Sequence, residues 1–256
     1  MSILKSKTGI MYLLLGLIGL ALIIYTYFTP MWWVALQSHQ YPKTMYPKGI
    51  RIEFKYDGVY NGCEGVRERE ELAMDAGADC LIEMNKINHF IGMYPIVQGV
   101  NDVDELGNHV PYPVYAGDKI PPEEIPQALK ILDKIMRSAK YIFILFAILG
   151  ILYLLPTRKT NFLGILVALA PIYFLALYIY YLWWYGHHLG LHGGGAFSGI
   201  KPFMPTVFGE GKVAQFTTES YPDYGFFVGL AGMLLIFISM AFKNKFLKSK
   251  NEEVAF

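Results

Sequence analysis

Apolar residues in this chain gather into four long runs, and between the runs polar and apolar positions alternate or mix. The runs cover residues 9–28 (GIMYLLLGLIGLALIIYTYF), 141–156 (opening YIFILFAILGILYLL), 162–184 (FLGILVALAPIYFLALYIYYLWW) and 224–242 (YGFFVGLAGMLLIFISMAF). A hydrocarbon core of roughly 30 Å takes about 20 helical residues to cross, so the pattern predicts four transmembrane helices. The second run is short, but Ala139 and Lys140 extend it, with the lysine reaching back to the headgroups. No Asp, Glu, Lys, Arg or His interrupts the apolar interiors, which argues against a proton relay or ion path through them.

The short polar flanks set an orientation. Lys5 and Lys7 precede the first run, Arg158 and Lys159 fill the turn between the second and third, and Lys243, Lys245, Lys248 and Lys250 follow the fourth. The positive-inside rule puts all three groups on the cytoplasmic side. This predicts a multi-pass protein of the cell inner (cytoplasmic) membrane with a cytoplasmic N-terminus (1–8) and a cytoplasmic tail (243–256). The first run is expected to be an uncleaved signal anchor. It is longer than the apolar part of a signal peptide, and Phe28-Thr29-Pro30 is a poor cleavage site.

Residues 29–140 and 185–223 are then extracytoplasmic. In the first, Ile50, Ile52, Phe54 and Tyr56 alternate with polar residues, as in a half-buried strand. Tyr41-Pro42 and Tyr46-Pro47 precede it as breakers. Residues 64–76 read as a short helix ended by Gly77. A further helix is expected from Pro121-Pro122-Glu123-Glu124 through Ile125, Leu129, Leu132 and Ile135, running as one piece into the second span. The second segment is rich in His and Gly and reads as a loop, with Pro202, Pro205 and Pro222 keeping helix out of most of it. The expected fold is a mainly α membrane protein: four transmembrane helices with a small α+β extracytoplasmic domain inserted between helices 1 and 2.

Composition agrees with the lipid assignment. The 256 residues are 54% hydrophobic and 17% charged, against about 45–50% and 25% in soluble domains. The net charge of +1 leaves no basic footprint for nucleic acid, and the aromatic content excludes a disordered chain. Catalytic signatures are lacking: no Gly-x-Ser-x-Gly, P-loop or His-Glu-x-x-His occurs. There is no Cys-x-x-Cys-His for covalent haem. Glu68, Glu70 and Glu71 read as a solvated helix face.

All six histidines and both cysteines fall in the predicted outer segments. His89 and Met93 would share a helix face if their stretch is helical, and imidazole with thioether suits copper, Cu(I) in particular. They read equally as a hydrogen-bonded packing residue and a core residue. His187, His188 and His192 offer three imidazoles at the end of the third span, which suit copper, zinc or iron. Beside Trp183, Trp184 and Tyr185 they read equally as part of an interfacial aromatic belt. Cys63 and Cys80 are candidates for a disulfide worth about 3 kcal/mol in an oxidising compartment, or for thiolate ligands.

Several short strings resemble a known family. Ile87-Asn88-His89-Phe90-Ile91-Gly92-Met93 is similar to a Leu-Asn-His-Tyr-Ile-Gly-Met element. Tyr185-Gly186-His187, with Lys201-Pro202-Phe203-Met204-Pro205 and Gln215-Phe216, resembles a second element of the same proteins, and Tyr41-Pro42 fits as well. These are small multi-pass membrane accessory proteins encoded beside nitrous oxide reductase in atypical denitrification clusters. The chain departs from their pattern at His188, where Asn is expected, and in the run Gly193–Gly195. The resemblance implies work at the outer membrane face alongside a copper enzyme. The first expectation is then a membrane-anchored accessory or metal-handling protein for that enzyme, with copper the candidate metal. The competing expectations are a non-catalytic structural subunit of a larger membrane complex and a metal- or quinol-linked oxidoreductase. For the subunit, Gly225, Gly229 and Gly232 would allow close helix approach.

Overall fold

The structure is a computed structural model that describes residues 3, 6–44, 46–63, 80–97, 99, 114–115, 118–119, 123–189, 201–213 and 215–254. The predicted helix 64–76, His109, Pro121, Pro122, His192 and Gly193–Gly195 lie outside the described residues. The chain divides into two compact units. One holds Met1–Thr29, Ala139–Leu175 and Tyr224–Phe256; the other holds Pro30–Ser138 and Ala176–Asp223.

The first unit is helical. It contains α1 (Lys7–Tyr25), α4 (Ala139–Tyr153), α5 (Asn161–Ala168), the start of α6 (Ala170–His187) and α7 (Tyr224–Val254). Ser6 caps α1 by accepting from the Gly9 N–H at 3.4 Å. Among the described residues, three helical stretches are long and apolar enough to cross a membrane: Lys7–Phe28, Arg158–His187 and Tyr224–Lys250. The second predicted span takes a different form. Helix α3 (Gln127–Arg137) and α4 meet at Ser138 with a bend of 46°, so the expected single helix is a bent pair. α3 also begins later than expected. Pro126 occupies its N-cap, and a proline disfavours helical backbone in the residue before it. The third predicted span is broken at Leu169, between α5 and α6. Pro171 brings no N–H and crowds the preceding turn.

Helices α1 and α7 pack through glycine. A Cβ placed on Gly19 would lie 2.9 Å from the Gly232 carbonyl oxygen, and one on Gly232 would lie 3.0 Å from the Gly19 carbonyl oxygen. Gly229 sits against Pro171 and Thr26. Two of the glycines expected to welcome a partner helix are therefore used within the chain. Ile23, Tyr153, Val167, Ala168, Ala170, Ile236 and Met240 form the core around them.

Lys243 is the exception in this core. Its side chain is fully buried. Its ammonium donates to the Tyr153 carbonyl at the end of α4 and to Thr160 Oγ1 at 2.7 Å, and it lies 4.5 Å from the centre of the Tyr153 ring. A cation there satisfies carbonyls that a helix leaves open at its C-terminus and complements its dipole.

The second unit is built on one antiparallel sheet in the order β3-β2-β1-β7-β6. Its strands are β1 (Trp32–Gln37), β2 (Ile50–Lys55), β3 (Gly58–Asn61), β6 (Gly209–Val213) and β7 (Phe216–Pro222). The alternation read in the sequence is β2, with Ile50, Ile52 and Phe54 buried. Two of the five strands come from the segment read as a loop, so the expected domain between the first two spans is incomplete without residues 209–222. Central β1 pairs with β2 (Val34 opposite Ile52) and with β7 (Val34 opposite Ser220). A short hairpin, β4 (Val114–Tyr115) and β5 (Asp118–Lys119), stands apart from the sheet pairing. Helix α2 (Cys80–Ile91), α3 and the later part of α6 complete the unit.

Candidate functional site

The buried face of the sheet carries Trp32, Val34, Ile52, Phe54 and Ser220, and the α6 rings of Tyr178 and Tyr181 meet Phe54 edge-on at 4.9 and 5.6 Å. Polar groups here need partners, and Ser220 supplies them. Its hydroxyl donates to the Val207 carbonyl at 2.7 Å and accepts from Trp32 Nε1 at 2.9 Å. The Tyr178 hydroxyl at 2.8 Å is the donor that fills its remaining lone pair.

Next to this core, α2 and the segment behind it position the first sequence candidates. Asn61 Oδ1 accepts from the N–H groups of Cys63 and Cys80 at 3.0 and 3.1 Å. Cys63 and Cys80 are joined in a disulfide. The other end of α2 closes at Gly92, which has φ of 80°. The Met93 N–H reaches the Asn88 carbonyl at 2.7 Å and the Gly92 N–H reaches the His89 carbonyl at 3.1 Å. That bond pair is a Schellman motif, with glycine in the left-handed conformation that other residues avoid. His89 and Met93 are therefore not one turn apart on a helix face. His89 lies in the last turn of α2, and Met93 is buried beyond the reversal.

Past the reversal, Asn85 Oδ1 accepts from the Ile96 N–H at 3.0 Å. The Val97 N–H donates to the Tyr181 hydroxyl at 3.0 Å, and the Tyr185 hydroxyl donates to the Pro95 carbonyl. Tyr94 and Trp184 pack with ring centres 5.9 Å apart. The segment carrying Met93 is thus docked along the end of α6 that carries His187 and His188. Asn85, Tyr181 and Tyr185 do this docking, and sequence reasoning missed them. Asn85 and Asn88 falling three apart among apolar helix residues was the available signal.

His187 and His188 share one arrangement. Nδ1 of His187 lies 2.8 Å from the Trp183 carbonyl oxygen, and Nδ1 of His188 lies 2.8 Å from that of Trp184. A carbonyl only accepts, so each neutral ring carries its proton on Nδ1 and leaves the lone pair on Nε2. Each ring also stacks on the tryptophan one turn back, at 4.7 and 4.4 Å between centres. Gly186 between them and the core has no room for a side chain, because the Phe203 carbonyl and Pro205 occupy the space, and the Phe203 N–H donates to the Gly186 carbonyl at 3.1 Å. Among the described residues no three side chains of His, Cys, Asp and Glu converge to hold a metal ion.

The opposite face of the sheet is polar. Arg51 Nη2 pairs with Asp223 at 2.8 Å and Glu53 at 3.4 Å, and its guanidinium lies 4.7 Å from the centre of the Trp33 ring. Burial pushes the Glu53 carboxyl above its ordinary range, with Arg51 pulling the other way and Asp223 adding to the rise. Burial likewise raises Asp57 in the β2–β3 turn.

The strings quoted for the resemblance fall into two neighbourhoods of this unit. Residues 185–187 and 201–205 meet at the end of α6, and the segment that follows residues 87–93 docks there through Tyr94 and Pro95. Tyr41-Pro42 and Gln215 line a separate cleft of about 400 Å³, where Phe216 faces Tyr41 at 6.4 Å between ring centres. No protein-family model matches the chain, and neither a curated protein nor a solved structure does.

Proposed function

We propose that this chain is a membrane-anchored accessory protein that handles copper for a copper-dependent respiratory enzyme at the extracytoplasmic face of the cell membrane. In this reading it crosses the bilayer four times, α4 supplying the second crossing. Both termini are cytoplasmic, and the sheet-containing unit lies outside. The observation that carries the reading is the shared tautomer of His187 and His188. A ligating imidazole commonly donates its other ring N–H to a carbonyl, which orients the ring and raises its basicity. Imidazole and thioether are the donor types that suit Cu(I), and the same unit carries His89 and Met93 besides these two imidazoles. His192 is the further imidazole the sequence provides.

The test is elemental analysis of the full chain purified in mild detergent after exposure to Cu(I), with mass spectrometry of co-purifying chains. Bound copper is expected in proportion to protein, falling at least about tenfold in His187→Ala/His188→Ala, since losing even a group that orients a ligand costs about 10–100-fold in metal affinity. Copper content unchanged by that pair, or no copper at all, overturns the reading. A constant set of partner chains without metal would make the protein a structural subunit. Phe90 and Phe208, 62% and 67% exposed on the second unit, favour that alternative.

A further inference from the structure

Helix α3 has two faces of different chemistry. Leu129, Leu132 and Met136 are buried, whereas Lys130, Ile131, Lys134 and Arg137 are exposed. The spacing of the three basic residues places them in one stripe along the solvent side. Asp133 is the acidic residue of the helix, and Arg137 Nε holds it at 2.8 Å. Glu123 and Glu124 precede the helix and are exposed. Ile131 flanks the stripe and is 49% exposed, an apolar side chain that packing inside the unit does not account for. One residue after Arg137 the chain bends into α4, which is apolar along its whole length after Lys140. The chain connection therefore holds a basic amphipathic helix next to an apolar one, the arrangement of a helix lying in the membrane interface.

We propose that the exposed face of α3 binds anionic phospholipid headgroups, with Lys130, Lys134 and Arg137 contacting their phosphates and Ile131 entering the acyl boundary. Juxtamembrane basic residues each strengthen attraction to an anionic leaflet, and salt weakens it. Three cations against one paired acid on the helix give an anionic headgroup a Coulombic gain that a zwitterionic one lacks.

The experiment uses the full chain in mild detergent, offered equal amounts of phosphatidylglycerol and phosphatidylcholine and read by native mass spectrometry. Retention of phosphatidylglycerol over phosphatidylcholine by about tenfold is expected, lost in Lys130→Gln/Lys134→Gln/Arg137→Gln and kept in Lys43→Gln/Lys48→Gln/Lys212→Gln, which removes as much charge elsewhere. Equal retention by the unaltered chain overturns the proposal, as does an undiminished preference in the α3 variant. Depth is read separately. The native cysteines are both in the disulfide, so Ile131→Cys accepts a polarity-sensitive fluorophore. Blue-shifted emission in vesicles containing phosphatidylglycerol is expected, and water-like emission overturns the placement.

Discussion

The two units solve the same problem, burying polar groups, with opposite materials. In the helical unit the buried polar side chains are few and each is tied to a helix backbone. Ser239 donates to the Tyr12 carbonyl at 2.7 Å, the Tyr153 hydroxyl lies 2.7 Å from Ser239, and Lys243 closes the end of α4. In the sheet unit aromatic hydroxyls and indoles do the tying, through Ser220 to a strand and through Tyr181 and Tyr185 to the 93–97 segment. The helical unit gains closeness by leaving side chains out, at Gly19 and Gly232. The sheet unit gains specificity by having large rings that reach a partner. Helices in lipid hydrogen-bond themselves and associate by packing of small residues, whereas an irregular segment such as 93–97 must be given partners for its backbone.

The sharpest way to break that comparison is Gly232→Leu. Its new Cβ meets the Gly19 backbone at 3.0 Å and Ile23 at 3.1 Å, and backbone does not yield as a side-chain tip does. A loss of about 3 kcal/mol is expected, at the upper end of overpacking costs. Hydrogen exchange should rise along α1 and α7. Unchanged protection there would mean that the two helices do not depend on close approach.

Ser220→Ala is the matching test of the sheet unit. It removes the acceptor used by Trp32 Nε1 and the Tyr178 hydroxyl and the donor to Val207, and a loss of about 2 kcal/mol is expected. All four tryptophans, Trp32, Trp33, Trp183 and Trp184, belong to this unit, so denaturant unfolding followed by tryptophan emission reads it directly. A midpoint equal to that of the unaltered chain would demote the Ser220 hub to a bystander of the aromatic packing.

The same contrast explains what the sequence made legible. Unbroken apolar runs and the alternation at Ile50–Tyr56 are strong local signals, and they located α1, α7 and β2. The bend at Ser138 and the break ahead of Pro171 were harder, because hydropathy averages across both. Strands β6 and β7 were missed because Gly209 and Gly211 weaken the pattern of β6, and the other partner of β7, strand β1, lies some 180 residues earlier. The burial of Lys243 left no local trace, because a lysine at the end of an apolar run looks the same whether it faces water or a helix terminus. At the site, the four-residue spacing of His89 and Met93 suggested a shared helix face. Gly92 between them, read as a helix stop, would have withdrawn it. The proximity of residues 94–97 to the end of α6 depends on contacts nearly ninety positions apart and leaves no local trace.

The smallest effect concerns the opposite face of the sheet, where a charged cluster lies beside the Trp33 and Tyr221 rings. Burial raises the Glu53 carboxyl above its ordinary range in the folded protein. Between the ordinary value and the raised one, the folded chain holds a proton that the unfolded chain has released. The stability from this group is therefore complete below the unfolded value and is lost as pH rises through the folded value. Glu53→Gln should lie within about 0.5 kcal/mol of the unaltered chain at neutral pH, as most substitutions of this kind do. On acidification from pH 7 towards the ordinary carboxylate range, the unaltered chain should gain stability relative to the variant. Tryptophan-monitored unfolding at several pH values measures the gap. Parallel pH dependences would show that Arg51, 3.4 Å from Glu53, offsets its burial in full, and that this face tolerates its carboxylate as readily as water does.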